Sequence, residues 1–276
     1  MNSALFLKER CFYMSNQVIH RVQYLYELLK QAEATMKSIS PLTEVYPDLS
    51  VEDAYQVQLR AIEQKVQEGQ RIVGKKIGLT SVAMQELLGV DQPDYGHLLD
   101  SMEISNNGMI SLDDLFQPKI EGEIAFVLRR DLSGPSVTVE DVFDAADYIA
   151  PALEIVDSRI TDWKITLADT VADNASSGLF VIGVDRFSIK DIDLPSIKMN
   201  LFKNGERVNT GYGSDVLGHP AKCVAWLANK LSQYNVELKA GEVILSGALS
   251  AAVAAEKGDV FTAEFSHIGK VEVSFK

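Results

Sequence analysis

Between Pro118 and Leu128 the chain alternates with a period of two: Ile120, Ile124, Phe126 and Leu128 fall on one side, Glu121 and Glu123 on the other. That pattern specifies a β-strand with one buried face. Two carboxylates at i and i+2 project side by side, where repulsion and lost hydration oppose their ionisation. The pair needs a cation between the side chains or bulk water around them. A metal site and a solvated edge strand are equally open on this stretch alone.

The run Ile149 to Asp157 also reads as a buried strand, interrupted by Glu154 between Leu153 and Ile155. A lone carboxylate in an apolar run is costly unless paired or bound to metal, so Glu154 supplies a third ligand for Glu121 and Glu123. Arg159 is its competing partner. Three oxygen donors without a nearby Cys or His favour a hard divalent cation, Mg²⁺ or Mn²⁺, with positions left for water and substrate.

Three further stretches carry polar groups with two readings each. Lys76 lies in the glycine-punctuated strand Ile72 to Leu79, either as an enclosed ammonium that needs an anionic partner or as a lysine snorkelling to water. Asp94 falls in Gln92-Pro93-Asp94-Tyr95-Gly96-His97, which reads as a tight loop; it either caps the turn or serves as an acid or base. Val171 to Gly178, with Ser176, is an ordinary polar loop or a binding loop for a carboxylate or enolate oxygen.

The rest of the chain bounds the fold. Residues 1–14 read as an irregular extension. Helical spacing covers Val18 to Met36, and a second helix follows the N-cap Ser50 and stops at Gly69. Short helices are predicted at Val82 to Leu88, Val139 to Tyr148 and Cys223 to Leu231. A hairpin with an Asn204-Gly205 turn and strands near Val243, Val260 to Phe265 and Val271 to Phe275 complete the pattern. Many short strands argue for an α+β fold, a β-rich roll or barrel, rather than a doubly wound parallel sheet. The expected division is an N-terminal extension and helical cap over 1–70, then a β-roll domain over 71–276.

With 276 residues, 46% of them hydrophobic, the chain can bury a large core, and its net charge of −13 argues against nucleic acid or an anionic membrane as partner. Cys11 and Cys223 match no zinc spacing, and no apolar run reaches the ~20 residues of a membrane helix. A soluble cytoplasmic protein is expected.

Taken together and in order, Gly74 to Ser81, Gln92 to Gly96, Glu121 to Phe126, Glu154 to Arg159 and Val171 to Gly178 resemble the hydratase/decarboxylase branch of the fumarylacetoacetate hydrolase superfamily. The resemblance runs from about Ser50 to Lys276. Asp162 to Ile165, Ser177 to Val181 and Gly241 to Gly247 look most like the hydratases, whereas Ala248 to Val253 leans toward the decarboxylases. The resemblance implies a mixed β-roll, with Mg²⁺ or Mn²⁺ held by Glu121, Glu123 and Glu154. It further implies that Lys76 and Asp94 are catalytic and that Ser176 binds substrate. The implied activity is addition of water to 2-hydroxypenta-2,4-dienoate in meta-cleavage degradation of aromatic compounds. Decarboxylation of 2-oxo-3-hexenedioate is the alternative, followed by C–C bond hydrolysis or metal binding without catalysis. Homo-oligomers are implied, dimers gathered into a ring, with a downstream aldolase or a sister decarboxylase as possible partners.

Overall fold

The computed structural model describes residues 3–81, 85–86 and 89–276, with side chains described from Val18 onward. Helix α1 spans Ser3–Thr35. It therefore takes in most of the stretch expected to be irregular; that stretch contains neither Pro nor Gly, so nothing in it interrupts the backbone ladder. After the single turn α2 (Leu42–Val45), helix α3 (Val51–Gln67) starts where Ser50 Oγ accepts from the Asp53 N–H, the cap expected there. The helix predicted over Val82 to Leu88 lies outside the described residues, except that Gln85 and Glu86 are helical.

Strands β1 (Ile72–Gly78), β2 (Asp94–Leu99), β3 (Glu103–Ile104) and β4 (Gly108–Ile110) precede the central strand β5 (Lys119–Leu128). Helix α4 (Val139–Ala145) ends three residues before its expected limit, because Tyr148 pairs with Val127 in strand β6 (Ala146–Val156). Helix α5 (Leu167–Ala172) and strand β7 (Ser177–Ile182) follow. The hairpin β8 (Lys198–Lys203) and β9 (Glu206–Tyr212) turns at Asn204 and Gly205, both at positive φ, as expected for that dipeptide. Helix α6 (Pro220–Ser232) leads to β10 (Val243–Ala248), β11 (Val253–Ala254), β12 (Val260–Phe265) and β13 (Gly269–Phe275).

These strands form two mixed sheets. One runs β2-β1-β10-β5-β6-β7-β3, with β11 on the end of β5; the other runs β4-β13-β12-β8-β9. The apolar face of β5, Ile120, Ile124 and Phe126, shares one core with Phe261, Ala263, Val271 and Val273 of the second sheet. Gly122 faces that core, where a Cβ would meet the Met199 side chain at 3.0 Å. A glycine between the two glutamates therefore lets the sheets close while Glu121 and Glu123 face the other way. Leu25, Tyr26 and Leu29 of α1 and Ala54, Tyr55 and Val57 of α3 belong to the same apolar cluster. No helix among the described residues is long and apolar enough to cross a membrane.

Two buried carboxylates tie loops to this frame. Asp169 caps α5 through Thr166 and also accepts from the N–H and hydroxyl of Thr43, while Asp157 accepts from the N–H groups of Phe116 and Gln117. The Asp157 bonds join the segment before β5 to the one after β6, and the Asp169 bonds tie α5 to α2.

Candidate metal and catalytic site

Strand pairing assembles the acidic cluster. Glu121 and Glu154 are direct cross-strand partners in the β5–β6 ladder, and Glu123 lies two residues further along the same face. One carboxylate oxygen from each comes within 4.8 Å of the others. Gly247 N–H donates to Glu123 Oε2 at 2.7 Å, and Ser177 Oγ donates to Glu154 Oε1 at 3.4 Å. Glu123 Oε1 and Glu154 Oε2 are buried without a hydrogen-bond partner. Buried acceptors without donors are expensive, and a hard divalent cation is the ligand that three all-oxygen donors of this geometry fit.

The electrostatics without a cation agree. Burial, then the Glu154 charge, pushes the Glu121 carboxyl up to about 7. Burial, followed by Glu154 and Glu121, raises Glu123 well above the usual carboxylate range. Three carboxylates this close cannot all ionise unless positive charge lies among them.

Lys76 and Lys75 are neighbours in β1 that point to opposite faces. Lys75 Nζ is bound by both Glu242 oxygens at 2.7 and 2.8 Å. Lys76 Nζ lies 3.1 Å from Glu154 Oε1 and is buried. Burial disfavours its ammonium, but Glu154, Asp94, Glu121 and Glu123 outweigh that and hold its pKa above the ordinary lysine value. Of the two readings of Lys76, the structure therefore shows the enclosed ammonium.

Asp94 is not in a loop: it is the first residue of β2, paired with Gly78 across the ladder, and it is fully enclosed. The turn residues Gln92 and Pro93 end one position earlier, which frees Asp94 to extend the sheet. A Cβ on Gly78 would lie 2.2 Å from Asp94 Oδ1 and 3.6 Å from Lys76 Nζ, so only glycine leaves room for the carboxylate there. Oδ1 is buried without a partner, and burial raises the Asp94 carboxyl above its usual range although Lys76 opposes the shift.

The stretch Val171 to Gly178 is no open loop. It continues from α5 into a left-handed turn in which Asn174, Ala175 and Ser176 have φ of 55°, 51° and 51°. Such backbone costs about 1–2 kcal/mol per non-glycine residue. Asn174 holds it in place, accepting from His97 N–H at 2.8 Å and donating to His97 C=O at 2.9 Å. Ser176 Oγ meets Thr170 Oγ1 at 3.2 Å. Arg159 braces the turn from behind through Asp173 and the Ser177 carbonyl, so it does not compete for Glu154.

Lys76, Asp94, Glu121 and Ser176 line a cavity of about 360 Å³, completed by Lys119, Trp163, Thr170 and apolar walls that include Leu79, Val156 and Ile165. Glu123 and Glu154 are not among the lining side chains but reach it through their cluster with Glu121. Lys119, Thr170 and the Gly247 N–H were not singled out from sequence. Lys119 does carry a signal, since it precedes Glu121 by two residues and shares its strand face.

Among the described residues His97 has no carboxylate partner: its Nδ1 faces Gln58 Oε1 at 3.0 Å, an arrangement unlike a His–Glu dyad for activating water. Burial, then the Lys75 charge, lowers its pKa to about 3 from the ordinary 6.5. The unfolded chain gains this proton near pH 6.5 and the folded chain only near 3, so stability is lost as pH falls through that window. His97→Gln is expected to remove about one proton from this slope. Urea midpoints measured across the window check it, and an unchanged slope would contradict a neutral buried imidazole.

A mixed sheet that gathers three carboxylates beside one cavity defines the class, an α+β fold with a candidate hard-metal centre. Residues 100–276 match the family model for the fumarylacetoacetate (FAA) hydrolase C-terminal domain, and the chain belongs to that family. It is 48% identical to 2-hydroxyhexa-2,4-dienoate hydratase of Comamonas testosteroni, over 92% of this chain and 95% of that protein. It is equally 48% identical to 2-keto-4-pentenoate hydratase of Paraburkholderia xenovorans LB400, over 90% and 92% of the two chains. Among solved structures, 4-oxalocrotonate decarboxylase from Pseudomonas putida G7, complexed with magnesium and adipate, superposes with a TM-score of 0.90 at 38% identity, over 93% of this chain and 98% of that one.

Proposed function

We propose that the protein is a metal-dependent hydro-lyase that adds water to 2-hydroxypenta-2,4-dienoate to give 4-hydroxy-2-oxopentanoate, in meta-cleavage degradation of aromatic compounds. The observation that carries this reading is the meeting of the Glu121, Glu123 and Glu154 cluster with Lys76 and Asp94 at one cavity. The relatives at 48% identity, named 2-hydroxyhexa-2,4-dienoate hydratase and 2-keto-4-pentenoate hydratase, support it.

Glu121, Glu123 and Glu154 would hold Mg²⁺ or Mn²⁺, and the ion would supply Lewis-acid stabilisation of negative charge on the substrate's C2 oxygen. The chain's own groups do the rest. Asp94, enclosed and raised in pKa by burial, would carry a proton from the 2-hydroxyl toward C5, turning the dienol into the α,β-unsaturated ketone. Lys76 keeps its charge beside the carboxylates, balances the substrate anion and shares proton transfer when water adds its oxygen at C4 and its hydrogen at C3. Ser176 donates to the carboxylate or enolate oxygen. The apolar walls Leu79, Val156 and Ile165 offer the diene an apolar surface to pack against.

A second reading, decarboxylation of 2-oxo-3-hexenedioate, is favoured by the likeness to the decarboxylase structure. Metal-stripped protein, reloaded with Mg²⁺ and offered each substrate in parallel, separates the two. Formation of 4-hydroxy-2-oxopentanoate from the dienoate is expected; carbon dioxide released from the diacid alone would reject the hydratase. Homo-oligomeric assembly is a separate expectation, checked by light scattering.

A further inference from the structure

The cavity has a second cation whose charge the proposed chemistry does not use. Lys119, Glu121 and Glu123 occupy successive positions on one face of β5, a step of about 6.6 Å for every two residues. Lys119 thus lies one step beyond the acidic cluster, on the cavity wall. Lys76 is engaged by Glu154, whereas the Lys119 ammonium makes no hydrogen bond or ion pair among the described residues. Its Nζ lies instead 4.3 Å from the centre of the Trp163 ring. A cation–π contact keeps an ammonium charged and in place but uses none of its three N–H donors.

The ring is itself held in position. Trp163 Nε1 donates to the Gln117 carbonyl at 3.1 Å, and Asp162 and Trp163 both take left-handed backbone, with φ of 57° and 54°. Lys164, which follows Trp163 in the turn, is exposed and pairs with Asp162 at 3.1 Å, so it is not the cavity cation. An uncommon backbone conformation, a fixed indole and a lysine with unspent donors converge on one point of the wall.

We propose that Lys119, carried on the Trp163 ring, is a second cation of this cavity, beside Lys76, and selects anionic ligands by pairing with a substrate carboxylate. This inference rests on the reading that the cavity binds carboxylate substrates. The carboxylate is either the one beside the acidic cluster or one at the far end of a longer diacid, and two probes distinguish them. Pyruvate is too short to present a remote carboxylate; adipate presents both.

The experiment is calorimetric titration of the Mg²⁺-loaded protein with pyruvate and with adipate, for wild type, Lys119→Met and Lys119→Arg, with Mg²⁺ affinity measured alongside. Lys119→Met is expected to weaken adipate about tenfold or more, the usual scale for a lost charge-assisted bond, with Lys119→Arg restoring most of it. A matching loss for pyruvate places Lys119 on the near carboxylate, and a loss confined to adipate places it on the remote one. Trp163→Leu, which leaves Lys119 charged but unseated, is expected to give a smaller loss of the same pattern. Unchanged affinity for both probes overturns the inference. So does a shift in Mg²⁺ affinity alone, which would make Lys119 a counter-charge to Glu121, and so does failure of wild type to bind either probe. Dienoate turnover by the wild type, assayed separately, reports on the hydratase reading itself.

Discussion

Replacing Glu123 by alanine is expected to lower Mg²⁺-dependent turnover by about 10³-fold or more while the protein stays folded. Lewis-acid stabilisation supplies several kcal/mol to a transition state, and each ~1.4 kcal/mol is a factor of ten. Glu123 is 1% exposed, and its Oε1 is buried without a partner, so the side chain has little to do in the apo protein beyond accepting from Gly247. Removing it also removes a carboxyl whose pKa is raised first by burial and then by repulsion from Glu154 and Glu121. Apo stability should therefore change little. What disappears is the stabilisation by metal, which for wild type amounts to about 2.7 kcal/mol at a hundredfold excess over Kd. Thermal melts with and without Mg²⁺, read beside turnover, check this, and a variant that still turns over and still gains stability from Mg²⁺ would remove Glu123 from the ligand set.

Lys76→Met should behave differently. Turnover is expected to fall by about 10²–10⁴, the range for a lost proton-transfer group, while metal affinity holds or rises. In the structure Nζ is 3.1 Å from Glu154 Oε1, where it competes with any cation for that oxygen. Methionine fills the volume without the charge, leaving Glu154 and Asp94 without their counter-charge in the metal-free protein. Mg²⁺ should then stabilise the variant more than it stabilises wild type. Titration of metal affinity beside kcat decides the matter, and a parallel loss of both would show that Lys76 organises the cluster rather than the reaction.

Much of the β-structure was legible because period-two alternation is local. The β5 strand, the Glu154 strand and the Asn204-Gly205 hairpin follow from spacing and turn chemistry alone. Where local signals conflicted, the reading failed. Pro93 and Gly96 suggested a loop around Asp94, yet ladder pairing with β1 draws that residue into a strand. Asn174 to Ser176 read as polar loop, yet Asn174 folds them into a buried left-handed turn. Helix α1 extended beyond its amphipathic part because nothing in the chain stops it.

The site divides along the same line. By itself, the sequence determined which side chains share a strand face, Glu121 with Glu123. It also singled out Glu154 as a carboxylate that burial makes costly. Only the tertiary structure decided which faces meet. Register across β5 and β6 set Glu154 against Glu121, β1 brought Lys76 to the same cluster, and the turn after α5 delivered Ser176. It also assigned the remaining charges, giving Glu242 to Lys75, Asp173 to Arg159 and the Trp163 ring to Lys119. The physical reason is range: alternation is set by backbone geometry within a few residues, whereas the partner of a buried charge is chosen by packing between segments far apart in the chain.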